Sequence, residues 1–390
     1  MKYTPSVNIE YGIDKDFKYI VTPNAQQVIG NIISSFRAGM HTFSLIGTYG
    51  TGKSSFLMAL ECDLNEGTTE LVSDKSVFGK FDGFECLNIL GDYNSLSNLL
   101  ADKLNCGYSL DTKNIFNALS NRYQNCKKQN KLLLIVIDEF GKVLEHASKN
   151  SPEKELYFLQ RLAEFVNTST RQIILLTTLH QNFGAYATGL SETQRNEWTK
   201  VKGRFKEIVF SEPVEQLLYL ASEQLSGRFR LSDNKKAVQK RILSAAIASN
   251  FVNKSLTEDV IDKLSPLDTL SAMCITKAIQ KYGQNERTLF SFLTAEGSNS
   301  INDFIETDNC TYNLSIAYDY LIYNFFSALS EINSDTAAWT SMRVAIERVG
   351  GGELKDEYIE DAIKIVKAIG MLNLFGTAST SLSKSLLYGA

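Results

Sequence analysis

The most specific chemistry in the chain lies in one short stretch, Gly47-Thr48-Tyr49-Gly50-Thr51-Gly52-Lys53-Ser54-Ser55. Glycine tolerates backbone angles that other residues resist, so such a loop can wrap closely and point its N–H groups inward at an anion. A helix starting near Lys53 adds its positive N-terminal end. The pattern GxxxxGK[ST] is that of a phosphate-binding loop: Lys53 reaches the β- and γ-phosphates and Ser54 holds Mg2+. The competing reading is an ordinary glycine-rich turn. A second stretch, Leu132 to Phe140 (LLLIVIDEF), ends an apolar run on two carboxylates. Asp138 is suited to the magnesium water shell, and Glu139 to orienting and deprotonating an attacking water.

Both stretches need a scaffold, and the apolar spacing supplies one. Pro23 to Phe36 has helical spacing, Thr42 to Ile46 reads as a strand entering the glycines, and Lys53 to Glu61 as the helix leaving them. Residues 64 to 83 are polar and read as an insertion. Phe84 to Leu90 is a second strand, with helices near 94–105 and 112–127. Leu132 to Ile137 fits the centre of a parallel sheet covered on both faces. Glu153 to Asn167 is helical, Gln172 to Leu179 a fourth strand, Ser191 to Lys200 a helix and Glu207 to Phe210 a short fifth strand. This alternation predicts an α/β fold with right-handed crossovers. After Pro213 the pattern is helical throughout.

Together these features resemble the AAA+ P-loop ATPases over roughly residues 20 to 295. The resemblance implies ATP and Mg2+ as cofactors, an α/β domain over 1–212, an all-α lid over 213–296 and a helical or winged-helix-like domain over 297–390. It also assigns further residues. Gln172 to Gln181 is similar to the strand that ends in a polar γ-phosphate sensor. His180 takes that place, with Thr178 and Gln181 as alternatives. Val201 to Phe210 is similar to the segment carrying an arginine finger, with Arg204 as the finger and Arg195 as second candidate. Tyr282 to Leu293 resembles the lid helix with a second sensor, Arg287. A finger acting on a neighbour's nucleotide implies a homo-oligomer. The lid and the further helical domain resemble the origin-recognition/replication-initiator branch and STAND switches. The phrases RNEWTKVKGRFKEIVF, QNERTLFSFL and KAIGMLNLFG resemble large bacterial anti-phage defence ATPases, which implies that more chain follows Ala390. DNA or a protein effector is the implied partner.

The bulk numbers are compatible. The chain has 390 residues, which points to two or three domains. Its net charge of -4 makes no global demand for a nucleic-acid partner. The basic run Arg228 to Arg241 is the one local candidate for phosphates or an acidic surface. Six cysteines without a CxxC pair and only three histidines argue against zinc and read as reduced thiols of a cytoplasmic protein. Neither a signal core nor a membrane-length apolar run is present. A small-molecule kinase is disfavoured by the all-helical half.

Overall fold

A computed structural model describes residues 9–10, 17, 19–48, 50–67, 69–72, 74–106, 111–168, 171–229, 231–282, 289–294, 299–307, 311–330, 335–352, 354–377, 380 and 384–387. Two compact units divide the chain, one from Ser6 to Ser211 and the other from Glu212 to Ala390.

In the first unit the order is α1 (Pro23–Arg37), β1 (Thr42–Ile46), α2 (Lys53–Asn65), β2 (Gly83–Leu90), α3 (Leu96–Lys103), α4 (Thr112–Lys128), β3 (Lys131–Asp138), α5 (Phe140–Lys149), α6 (Pro152–Val166), β4 (Ile173–Leu179), α7 (Glu192–Lys202) and β5 (Lys206–Val209). The five strands form one parallel sheet of order β2-β3-β4-β1-β5. In β3, Leu133, Ile135 and Ile137 enter the core shared with α3 to α7, whereas Leu132, Leu134 and Val136 enter the core shared with α1 and α2. That two-sided burial is why β3 is apolar without alternation. Each of these side chains is worth roughly 1.5–3 kcal/mol of gross burial, so β3 fixes the height at which Asp138 emerges.

The segment after α2 looks polar but is tied down. Asp63 is buried, and its Oδ1 accepts from Thr69 N at 3.1 Å and Glu70 N at 3.2 Å. Its Oδ2 accepts from Val72 N at 2.5 Å, and Leu71, Val72 and Phe78 enter the core beside α1. A helix that the sequence analysis does not assign, α5, starts directly after Glu139.

The second unit comprises α8 (Val214–Leu225), α9 (Asp233–Ala248), α10 (Glu258–Leu264), α11 (Thr269–Tyr282), α12 (Leu289–Thr294), α13 (Ile301–Thr307), α14 (Leu314–Ser330), α15 (Thr336–Gly350), α16 (Asp356–Phe375) and α17 (Lys384–Leu387). One hydrophobic core runs from Leu217 to Leu386 through all of it. Almost every residue of α11 is buried, which makes this helix the axis of the unit. Its N-terminus is capped by a buried carboxyl: Asp268 Oδ1 accepts from Ser271 N at 2.6 Å and Ser271 Oγ at 2.5 Å. Beyond the sheet, the described residues contain one isolated bridge, Leu267 to Tyr312, and no β-wing. Among them, no helix is long and apolar enough to cross a membrane.

Candidate functional site

The parallel sheet carries the C-terminal ends of β1, β3 and β4 to one edge, where the loops after them converge. Gly47 leaves β1 with its N–H donated to Leu179 O at 3.0 Å. A Cβ on Gly47 would lie 2.0 Å from Phe210 O, so glycine is required here by the chain leaving β5. Gly50 and Gly52 adopt φ of 72° and 87°, angles that favour glycine. Gly52 is the N-cap of α2 and Lys53 its first residue. Thr48 and Thr51 close the loop on itself, Thr51 Oγ1 donating to Thr48 O at 2.9 Å. Ser54 and Ser55 stand partly buried in the first helical turn. Tyr49 lies outside the described residues.

Lys53 reaches back over the loop. Its Nζ donates to Gly47 O at 2.6 Å, Thr48 O at 2.8 Å and Thr51 Oγ1 at 3.4 Å. Burial pulls the ammonium down to about 8, against the opposing pull of the Asp138 and Glu139 carboxylates. A cation in this condition gains from any further anion that comes near.

Asp138 is buried at the end of β3, where its Oδ1 accepts from Thr178 Oγ1 at 2.5 Å and from Glu139 N at 3.0 Å. Glu139 N also meets Thr178 Oγ1, at 2.9 Å. Thr178 of β4 therefore orients the aspartate. Glu139 caps α5 in the left-handed conformation, φ 52°, and its carboxylate pairs with Lys142. Gly91, after β2, makes that turn possible: a Cβ there would lie 2.5 Å from Glu139 O.

His180 follows β4, half-buried. Its ring nitrogens lie 3.1 and 3.3 Å from Tyr186 Oη, and Nε2 lies 3.9 Å from Glu145 Oε1. Burial lowers its pKa; Glu145 opposes this, Lys53 adds to it and Glu139 opposes it. The ring thus shares an electrostatic neighbourhood with the lysine and glutamate of the site. Gln181 is exposed just beyond it.

Two expected residues stand apart. Arg204 lies just before β5, beside Thr42 at the start of β1, so at the opposite edge of the sheet from the glycine loop. Its Nη2 pairs with Glu164 Oε1 at 2.7 Å and its Nη1 donates to Lys200 O at 3.0 Å. It does not complete the site of its own chain. Arg195 is exposed on α7. Arg287 lies outside the described residues. In the basic run, Arg228 is engaged with Leu293 O at 3.2 Å and Asn302 Oδ1 at 2.6 Å, and Lys240 with Glu258 at 2.6 Å. Sequence reasoning missed Gly91, Gly141 and Tyr186; two isolated glycines in otherwise ordinary segments were the available signal.

The residues present suit a nucleotide with its metal. The loop has positive-φ glycines, the partly buried Lys53 has its pKa lowered by desolvation, and Ser54 and Asp138 are hard oxygen donors. A shallow cavity of about 420 Å³ also opens between α1 and the edge strand β5, lined by Asn24, Gln27, Asn31 and Val209 among others.

No family model and no curated protein match the chain. Solved structures do resemble it. The Aeropyrum pernix ORC2 protein, in ADPNP–ADP complexes, is 11% identical with a TM-score of 0.38, over 92% of this chain and 97% of that one. Cdc6p from Pyrobaculum aerophilum is 13% identical with a TM-score of 0.39, over 96% and 86%. C. elegans PCH-2 is 15% identical with a TM-score of 0.40, over 77% and 70%. The sheet order and the placement of the glycine loop between β1 and α2 carry the fold on their own. The chain has a five-stranded parallel α/β fold with a glycine loop between β1 and α2, followed by a helical C-terminal region.

Proposed function

We propose that this protein binds and hydrolyses ATP with Mg2+ and couples nucleotide state to assembly and to the remodelling of DNA or a protein partner. The observation that carries the reading is the convergence of Lys53 with Asp138 and Glu139 at one sheet edge, the lysine held at about 8 by burial. Gly47 to Ser55 would cradle the phosphates and Lys53 would bridge them. Ser54 and Asp138 would hold the magnesium, which when bound neutralises phosphate charge. Glu139 would take the proton of the attacking water, and His180 would face the terminal phosphate. Arg204 would act on a neighbouring subunit and Arg287 from a lid formed by residues 213–296. The setting proposed is anti-phage defence, supported by the three sequence phrases alone.

The test is direct. Wild-type protein should bind ATP and turn it over with Mg2+. Lys53→Ala should lose binding. Glu139→Gln should retain binding and lose turnover by roughly a hundredfold or more. A Lys53→Ala variant that binds ATP like the wild type overturns the cradle.

A slow, STAND-like signalling switch is favoured by one observation: the Glu139 carboxylate is engaged by Lys142. In that case Glu139→Gln would trap an assembly and lengthen nucleotide retention.

A further inference from the structure

We propose that Tyr186 and Glu145 are positioning residues for His180, fixing its imidazole as the Nε2–H tautomer against the first turn of α5. The proposal rests on the nucleotide-site reading for its consequence in catalysis, but its geometry stands apart from it. Tyr186 is buried, and its hydroxyl sits against the Nδ1–Cε1–Nε2 edge of the ring, 3.1 Å from Nδ1 and 3.3 Å from Nε2. By itself that hydroxyl can serve either tautomer. Glu145 breaks the tie, because its carboxylate lies 3.9 Å from Nε2 and an anion favours a proton on the nitrogen that faces it. Nδ1 then keeps its lone pair and accepts from Tyr186.

The packing is built for this arrangement. The two rings are nearly perpendicular, at 82°, with centroids 5.5 Å apart. Gly141, two residues past Glu139, supplies the room. A Cβ there would come within 2.4 Å of Tyr186 Oη and 2.9 Å of His180 Cε1. The charged groups felt by the ring are Glu145 on α5, Glu139 at its N-cap and Lys53 on α2. Tyr186 belongs to the 3-10 turn Phe183–Ala187, which Trp198 Nε1 anchors by donating to Phe183 O at 2.8 Å. The hydroxyl is therefore presented from a fixed point.

The chain contains three histidines, His41, His146 and His180. Selective 15N labelling of the imidazoles in full-length protein gives three ring systems, and His180→Ala identifies the one in question. The expected result is a neutral ring protonated at Nε2. Glu145→Gln, which removes the anion facing Nε2, should convert this pattern into a mixture of tautomers, and Tyr186→Phe, which keeps the ring and removes the oxygen, should leave the proton on Nε2 and shift the Nδ1 signal. Tyr186→Phe should also lower kcat about tenfold with KM nearly unchanged, and have no further effect in a His180→Ala background. A wild-type ring protonated at Nδ1, signals unmoved by Tyr186→Phe, or losses that multiply in the double variant would each overturn the proposal. Should Tyr186→Phe fail to fold, Glu145→Gln at a half-exposed position decides by itself, and a ring still protonated only at Nε2 in that variant overturns the proposal. A wild-type protein that never hydrolyses ATP removes the proposed function, and the tautomer measurement still decides where His180 is held.

Discussion

Lys53 shows how surroundings turn a common side chain into a tool. Its ammonium is spread over two loop carbonyls and a hydroxyl, and its pKa is drawn down to about 8 by burial. A polyphosphate restores negative charge and raises that pKa again, so binding takes up a proton when the lysine is neutral beforehand. Affinity should then be flat below about pH 8 and fall by up to tenfold per pH unit above it. Titration of a fluorescent ATP analogue between pH 7 and 9.5 checks this; Lys53→Met should bind weakly throughout, without the slope. The glycine spacing, Lys53 and the paired carboxylates were all legible in the sequence. Tyr186, Glu145 and Gly91 were not, because their roles depend on approaches between segments distant in the chain.

At the level of helices and strands, β1 and the start of α2 fall where the apolar spacing puts them. The omission of α5 is instructive. Phe140, Val143, Leu144 and Ala147 form a helical stripe, but the chain enters it through a left-handed glutamate with no side-chain cap, so the usual start signal is missing. Residues 64 to 83 are polar yet ordered where described, because three backbone N–H groups there are served by one buried carboxylate, Asp63. A second buried carboxyl, Asp268, caps α11 and is pushed up to about 7 by burial. Its folded-state pKa lies above its unfolded value. Its contribution to stability is therefore complete below about pH 4 and lost as pH rises through 7. Asparagine caps a helix equally well, so Asp268→Asn should gain on the wild type as pH rises from 4.5 and level off above 7. Thermal melts across that range report it, and a difference independent of pH would mean that the folded carboxyl is already ionised at the acid end.

For the molecule as a whole, the lesson lies in the distance between Arg204 and the glycine loop. The two occupy opposite edges of one sheet, so an arginine finger at Arg204 can only serve another copy. Arg204→Ala and Glu139→Gln should each be nearly inactive alone. Mixed, they should recover part of the turnover, because the first supplies intact carboxylates and the second an intact finger. A mixture as inactive as its components removes Arg204 from that role. The single core that runs from α8 to α17 crosses the position near 296 where sequence alone suggests a break between lid and third domain; what marks that break is the change of motif, and motif and core need not divide together.

The sheet order also sets a timetable for synthesis. β1 carries the glycine loop, yet both its neighbours come much later: Thr42 pairs with Leu175 and Phe43 with Lys206. A ribosome that has just released β1 must add about 130 residues before the first partner strand exists, on the order of ten seconds. Through that interval Phe43 and Leu45 have no sheet to enter. The glycine loop is among the first parts of the chain to be made and among the last to take shape, so any anion it holds can steady the chain only once nearly the whole of the first unit has emerged.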